Sequence, residues 1–265
     1  MFKALSFMLL PLLFISLISG LVLVFVYHPS MAYDTVQKIT FLYPYGEIYR
    51  KVHYFSSELF LIFLLFHVTV ELSQKRITIT RSSWNYSIVA FLAVIFFLFS
   101  GFVLKGDQSA NAAANVTFTL IKDTPFIDTL LPLVKDTNII TYKFFIWHIL
   151  FLPLILYFIL LKHVRKFTIK TEYLGASLFM VVLSVLFLKM PVDVPLSAKG
   201  ANLYSPWFFK GAERLLSFSI PAILVNFTLV FPIILLFLFR VVKYKNIVRV
   251  LLLIWMIFYT WVSLF

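Results

Sequence analysis

The sequence predicts an all-α integral membrane protein with about seven transmembrane helices. The composition indicates this class, because 62% of the 265 residues are hydrophobic and only 13% are charged. Seven apolar stretches are also present, each close to the roughly 20 residues that a helix needs to cross a hydrocarbon core. In addition, histidines recur at matched positions in two of these stretches, which indicates a cofactor site within the helices.

The seven stretches are labelled helices A to G in chain order. They cover residues 5–27, 53–72, 87–105, 144–163, 174–190, 219–240 and 247–264. Helix A follows Lys3 directly, and its apolar run is too long for the core of a signal peptide, so we expect it to stay in the mature protein. Pro29 follows this run and ends the helix, because proline lacks the backbone N–H that a helix needs.

Helices B and D each carry two histidines. His53 and His67 are fourteen positions apart in helix B, and His148 and His163 are fifteen apart in helix D. In an α-helix the two histidines of the first pair lie about 21 Å apart along the axis and within about 40° of one another around it. Those of the second pair are about 60° apart around the axis. Side by side, the two helices would present two facing pairs of imidazoles, one pair near each membrane surface.

This arrangement favours haem over zinc. Structural zinc takes four protein ligands and catalytic zinc takes three plus water, yet the chain has no cysteine, and Glu58 is the only acid well inside either helix. Haem needs only two axial ligands, and imidazole is a common one. A hydrogen-bonded core histidine is the alternative, but ionisable residues are costly inside a membrane and usually functional there. Without cysteine, any haem is held non-covalently and the chain has no iron–sulfur cluster of its own.

The basic residues indicate the orientation of the chain in the membrane. The net charge is +12, and the short connections between helices B and C and between F and G carry only basic charges. Because cytoplasmic loops are enriched in lysine and arginine, this pattern predicts a cytoplasmic N-terminus. We expect the membrane to be a bacterial or archaeal cytoplasmic membrane. The charges cluster at helix ends rather than along a stripe, so nucleic acid is not an expected partner.

Three connections on the predicted outer side are long, covering residues 28–52, 106–143 and 191–218. Long loops in a compact protein are usually functional or bind partners. Within the helices, Gly20 and Gly101 would let a bulky planar group approach the backbone closely, although helix packing alone explains either glycine equally well.

Five motifs follow one another along the chain: SGLVLVFVYHPS in helix A, RKVH before the fourteen-residue spacing of helix B, Trp84 followed by SGFVLKGDQ, the fifteen-residue spacing of helix D, and SPWFFKGAERLL after helix E. In this order of motifs, the chain resembles the cytochrome b family, the dihaem core of the quinol-oxidising bc and bf complexes. The resemblance implies a four-helix dihaem domain (helices A to D) over residues 1–170. A C-terminal domain of three helices (E to G) with a quinol-site-like loop would follow over residues 171–265.

The resemblance also implies which histidines share an iron. His53 and His148 would ligate a haem near the outer face, and His67 and His163 a second haem near the inner face. Arg50, three residues before the first ligand, matches a family arginine that lies near a haem propionate, and a guanidinium pairs well with a carboxylate.

The small residues of helices A and C follow the same resemblance. Gly20 and Gly101 match two of the haem-packing glycines of the family. Ser6 and Ser87 stand at the other two positions, so small side chains are kept at all four.

The quinol-site loop departs from the family pattern. A glutamate between proline and tryptophan accepts a proton from quinol in the family, whereas Pro206 precedes Trp207 here, and proline cannot move a proton. Glu213 is a substitute proton acceptor six residues on. The alternative is that it is a surface acid paired with Lys210 or Arg214.

The function implied by the resemblance is that of an electron-transfer subunit in a respiratory quinol:acceptor oxidoreductase of the bc type. Its cofactors would be two non-covalent b-type haems, with quinol or quinone as substrate. Its partners would be a c-type cytochrome, an iron–sulfur protein or both, docked on the outer loops of a multi-subunit complex for which a dimer is one arrangement.

Two other functions stay open. One is a quinone-reducing or relay cytochrome b that lacks a bifurcating outer quinol site. The other, of a different class, is a proton-coupled transporter in which the histidines and Glu58 form a proton relay. A transporter predicts discontinuous helices and an internal repeat near the membrane midplane, and the sequence shows neither.

Overall fold

The computed structural model describes residues 6–74, 80–125, 137–163, 169–198, 203–243 and 245–264, and of residues 137–139 and 163 it describes the backbone alone. This part of the chain is helical and contains no β-strand. Its helices are α1 (Leu9–Val24), α2 (Ala32–Phe41), α3 (Gly46–Ser73), α4 (Arg81–Val103), α5 (Gln108–Lys122), α6 (Thr137–Ile146), α7 (Leu152–His163), α8 (Thr171–Phe187), α9 (Trp207–Ser217), α10 (Ala222–Leu238) and α11 (Lys245–Leu264). A 3₁₀ turn, Pro29–Met31, precedes α2, and a π-helical turn, Trp147–Phe151, joins α6 to α7.

Each of the seven apolar stretches contains a helix, and the prediction of an all-α integral membrane protein is confirmed. By length and composition, four helical segments of the described chain can cross a membrane: Gly46–Ser73, Arg81–Val103, Ile140–Lys162 and Lys245–Leu264. The bent pair Leu9–Val24 and Pro29–Phe41 makes a fifth if it is counted as one span. Helices α8 and α10 are apolar but only 17 residues long, so the count of seven spans stays a prediction.

The first long connection is largely helical. The chain bends by 85° between α1 and the segment that begins at Pro29, and α2 then folds back onto the start of α3. At Gly46 a Cβ atom would lie 1.8 Å from the carbonyl oxygen of Ile39, so only glycine allows this close approach. The guanidinium of Arg50 donates a hydrogen bond to the Thr40 hydroxyl and ties the two helices together. Helix α3 therefore begins at Gly46, well before the predicted start at residue 53.

The chain forms two compact units. The first unit is Met1–Gly101 with Phe145–Val192, and the second is Phe102–Phe144 with Asp193–Phe265. In the first unit, α1, α3 and α8 meet in an apolar core built around Met8, Leu12, Ile15, Phe63 and Val181. In the second unit, α5, α9, α10 and α11 meet in a core built around Leu120, Ala212, Leu215, Ala222, Val225 and Val262. The division into functional domains at residue 170 stays a prediction.

A buried carboxylate organises the second unit. Asp107 is the N-cap of α5, and its Oδ1 accepts a hydrogen bond of 2.8 Å from the Ala110 N–H. Its Oδ2 accepts from the Lys105 ammonium at 2.9 Å and from the Val194 N–H at 3.1 Å. A buried charge is stable only when it is paired and hydrogen-bonded, and here it joins the beginnings of the second and third long connections.

Candidate functional site

Two of the predicted ligands, His53 of α3 and His148 of the π-helical turn, lie next to each other in the first unit. Their ring centroids are 6.2 Å apart, and the ring planes make an angle of 78°. An imidazole nitrogen lies about 2 Å from a metal that it ligates, so two imidazoles on opposite sides of one iron have ring centroids about 6 Å apart. The spacing of this pair therefore fits one iron held between two axial ligands.

Hydrogen bonds fix the tautomer of both rings. Nδ1 of His53 lies 2.9 Å from the carbonyl oxygen of Ser16, and Nδ1 of His148 lies 3.1 Å from the carbonyl oxygen of Phe97. Because a carbonyl oxygen can only accept, each Nδ1 must carry the proton and donate it. The lone pair of each Nε2 is then left for a metal, which is the usual arrangement of a ligating histidine.

A serine next to each carbonyl supports the same tautomer. Ser19 Oγ lies 3.4 Å from Nδ1 of His53, and Ser100 Oγ lies 2.9 Å from Nδ1 of His148. Each hydroxyl donates its single hydrogen to a backbone carbonyl of its own helix, that of Ile15 or Phe97. Toward the imidazole each serine oxygen can therefore only accept, so that Nδ1–H is shared between two acceptors.

Gly20 and Gly101 give the rings access to these carbonyls. A Cβ atom at Gly20 would lie 2.8 Å from Cε1 of His53, and one at Gly101 would lie 2.7 Å from Cε1 of His148. Each glycine is four residues after the carbonyl that accepts from the ring, on the same helical face. The sequence predicts that these glycines admit a planar group or a neighbouring helix, and in the structure the closest group beside each glycine is the histidine ring itself.

The second predicted pair is described only in part. His67 Nδ1 lies 2.8 Å from Ser6 Oγ, so the serine that stands at a family glycine position contacts the expected ligand. The backbone of His163 ends α7, but its side chain lies outside the described residues, and the pairing of His67 with His163 stays a prediction. Among the described residues, no group of three or more histidines, cysteines or acids could hold a metal ion.

The loop predicted to be a quinol site lies in the second unit. Pro206 is the N-cap of α9, and Trp207 is its first residue. Glu213, two turns into the helix, accepts a hydrogen bond of 2.7 Å from the buried Ser205 hydroxyl just before Pro206. Among the described residues, the hydrogen-bond partner of Glu213 is therefore this loop serine rather than Lys210 or Arg214.

The environment of Glu213 changes its acidity. Burial raises the pKa of its carboxyl above the usual value, and the hydrogen bond from Ser205 and the charge of Lys210 offset part of that rise. The carboxyl of Glu213 thus lies next to the predicted quinol-site loop, and its pKa is raised toward neutrality. Both features suit a general base.

Sequence reasoning missed Tyr259, which supports the loop from α11. Its hydroxyl donates a 2.7 Å hydrogen bond to the Phe208 carbonyl oxygen, and its ring is 1% exposed. A Cβ atom at Gly211 would lie 2.5 Å from Cζ of this ring. The ring of Trp207 packs edge-on against it, with the two ring centroids 5.8 Å apart. The sequence shows a glycine in α9 and an aromatic residue in the last helix, but no spacing rule connects the two, so their contact could not be predicted.

The helices define an integral membrane protein, and two of its imidazoles have the spacing of a pair of axial haem ligands. The family model described as "Cytochrome b/b6/petB" matches residues 1–172. The chain belongs to the cytochrome b family.

Relatives with known names match the chain at low identity. Cytochrome b of Caenorhabditis briggsae is 26% identical over 213 residues, which cover 71% of this chain and 57% of that protein. The menaquinol:cytochrome c reductase cytochrome b subunit of Bacillus subtilis is 24% identical over 159 residues, 56% of this chain and 70% of that one. A chain of the solved "Hyperthermophilic respiratory Complex III" superposes with a TM-score of 0.71 at 17% identity, covering 100% of this chain and 83% of that chain, and so has the same fold. The chain spans less than three fifths of the nematode relative.

A glycine substitution tests the access of the His148 ring to its carbonyl. We expect Gly101→Ala to lower the ratio of haem to protein, because the new methyl group would lie 2.7 Å from Cε1 of the ring and would displace it. Gly175→Ala is the matched control, since nothing lies within 4 Å of a Cβ at that position. Haem extracted from the purified proteins and counted per chain is the measurement. Equal haem content in both variants would contradict the prediction.

Proposed function

We propose that this chain is the dihaem b-type cytochrome subunit of a respiratory bc-type complex and transfers electrons between quinol or quinone and partner redox proteins. The observation that carries the proposal is the His53–His148 pair, with centroids 6.2 Å apart and both Nδ1 atoms engaged with backbone carbonyls. Membership of the cytochrome b family supports b-type haem as the group held there.

Each residue of the site has a role in this proposal. His53 and His148 hold one haem through Nε2, and His67 and His163 hold a second. When bound, haem supplies a centre that takes up and releases one electron at a time. The carbonyl hydrogen bonds fix the ring orientation and raise the basicity of the ligating nitrogens. Arg50 provides a guanidinium for a haem propionate.

Glu213 takes the part of the proton acceptor in quinol oxidation. A quinol becomes a quinone by losing two electrons and two protons, so a base beside its hydroxyl group assists the reaction. Pro206 occupies the position of the family glutamate and has no side chain that accepts a proton. The hydrogen bond from Ser205, just before Pro206, to Glu213 supports Glu213 as the residue that replaces the family glutamate as proton acceptor.

Family membership supports the proposed partners, and the charge pattern supports the proposed topology. The Bacillus subtilis relative is named as a subunit of a menaquinol:cytochrome c reductase, and we extend a quinol substrate to this chain. A c-type cytochrome, an iron–sulfur protein or both would dock on the long outer connections in a multi-subunit complex. Seven spans with a cytoplasmic N-terminus are the topology that agrees with the positive charges of the short connections.

Pro206 favours one second candidate, a quinone-reducing or relay cytochrome b without a bifurcating outer quinol site. In that function the haem pairs are retained and Glu213 only stabilises the loop. The transporter interpretation has less support, because the Nδ1 proton of both His53 and His148 is held on a backbone carbonyl rather than directed along a relay of acids.

Removal of one ligand tests the dihaem proposal. In a stepwise redox titration of visible absorption, we expect the wild-type protein to show two haems that titrate separately and His148→Ala to lose one of them, because that haem would keep only one of its two axial ligands. His28→Ala is the control, since His28 stands at the N-cap position of the 3₁₀ turn after α1 without a side-chain capping hydrogen bond and lies outside both ligand helices. Two titrating haems in the His148 variant would contradict the proposal.

Substitution of Glu213 separates the two candidate functions. We expect Glu213→Gln to slow quinol oxidation by about 100-fold, the effect of losing a general base, with haem content unchanged. The carboxyl must be deprotonated to act as a base, and burial raises its pKa, so the wild-type rate should rise with pH through that raised value and the variant should lack this rise. Glu172→Gln, at an exposed position, is the control. An unchanged rate and pH profile in the Glu213 variant would favour the relay function.

A further inference from the structure

A π-helical turn interrupts the second ligand helix at the first of its two histidines. In Trp147–Phe151 the backbone widens, and the Leu152 N–H donates to the carbonyl oxygen of Trp147, five residues back instead of four. His148 lies inside this turn. A π turn holds one residue more than an α-helical turn, is rare, and is frequent at functional sites.

Pro153 provides a physical reason for the turn. Proline has no backbone N–H, and in a regular α-helix its ring would collide with the carbonyl of the residue four positions earlier, which is Ile149. A wider turn just before Pro153 would relieve that collision. The helix then continues from Leu152 to His163.

The turn changes the rotational offset between positions 148 and 163. Fifteen residues of regular α-helix leave an offset of about +60°, and one residue absorbed in a π turn subtracts about 100°. The result is about −40°. Fourteen residues of regular helix between positions 53 and 67 give about −40° as well, and α3 is regular over that whole range.

We propose that the π turn forced by Pro153 is a positioning device that gives the fifteen-residue ligand spacing the same rotational offset as the fourteen-residue spacing of α3. The inference rests on the proposed dihaem function and deepens it. Both ligand helices then present their two histidine positions at equal angles, so that each position of one helix could face the matching position of the other. Without the turn, position 163 would be rotated by about 100° relative to position 67.

A pair of one-residue deletions tests this proposal. The first variant deletes Phe151 and carries Pro153→Ala, so that helix D becomes a regular helix with a fourteen-residue spacing. The second deletes Ile62 from α3. The two deleted side chains are similarly exposed, at 43% and 46%, and each deletion falls between two ligands of one helix. The measurement is haem per chain, with a redox titration to identify which haem is present.

We expect the Phe151 deletion variant to keep two haems and the Ile62 deletion variant to keep only the His53–His148 haem. Loss of the second haem from the Phe151 variant would overturn the proposal, and so would two haems in both variants, because the register would then not matter. The wild-type protein measured alongside distinguishes the two levels. If the wild type holds no second haem, the proposed dihaem function fails, independently of the π turn.

Discussion

The hydrogen bond from each histidine Nδ1 to a backbone carbonyl is the interaction on which the candidate haem site depends. In α1 and α4 the accepting carbonyl belongs to Ser16 or Phe97, and the residue four positions on is Gly20 or Gly101. A helical carbonyl that already accepts from the N–H four residues ahead has a second lone pair, and the missing Cβ exposes it to the ring. The same Ser-Gly dipeptide therefore acts in both helices. The glycine leaves room for the histidine ring, and the serine oxygen is a second acceptor for the Nδ1–H of that ring.

Much of this site could be predicted from the sequence, for a definite reason. Histidines at matched depths in apolar helices are costly unless they serve a function, so their spacing predicts both the two ligand helices and the facing pair. The role of Gly20 and Gly101 was predicted in kind, as close approach, but the group that approaches is the ligand ring. The serine and carbonyl partners could not be predicted, because they depend on how helices distant in the sequence pack together.

The predictions that need revision fail where the backbone departs from regular geometry. The predicted rotation of about 60° between His148 and His163 was calculated for an uninterrupted α-helix, but the π turn at Trp147–Phe151 interrupts this helix. Pro153 was a visible signal of the interruption. Likewise, the long connections contain the amphipathic helices α2, α5 and α9, which lack the continuous apolar run that identifies a membrane span. In the quinol-site loop, Tyr259 supports α9 through a contact that only the tertiary structure reveals.

The proposed coordination of one iron by His53 and His148 is the part of this account most directly open to measurement. Electron paramagnetic resonance of the oxidised, purified protein reports whether the iron has two strong axial ligands. Two imidazoles on opposite faces, with Nε2 free on each, predict low-spin ferric signals, with large anisotropy because the ring planes are 78° apart. High-spin signals from both haems at full haem content, with no low-spin signal, would show that the two histidines do not ligate one iron between them.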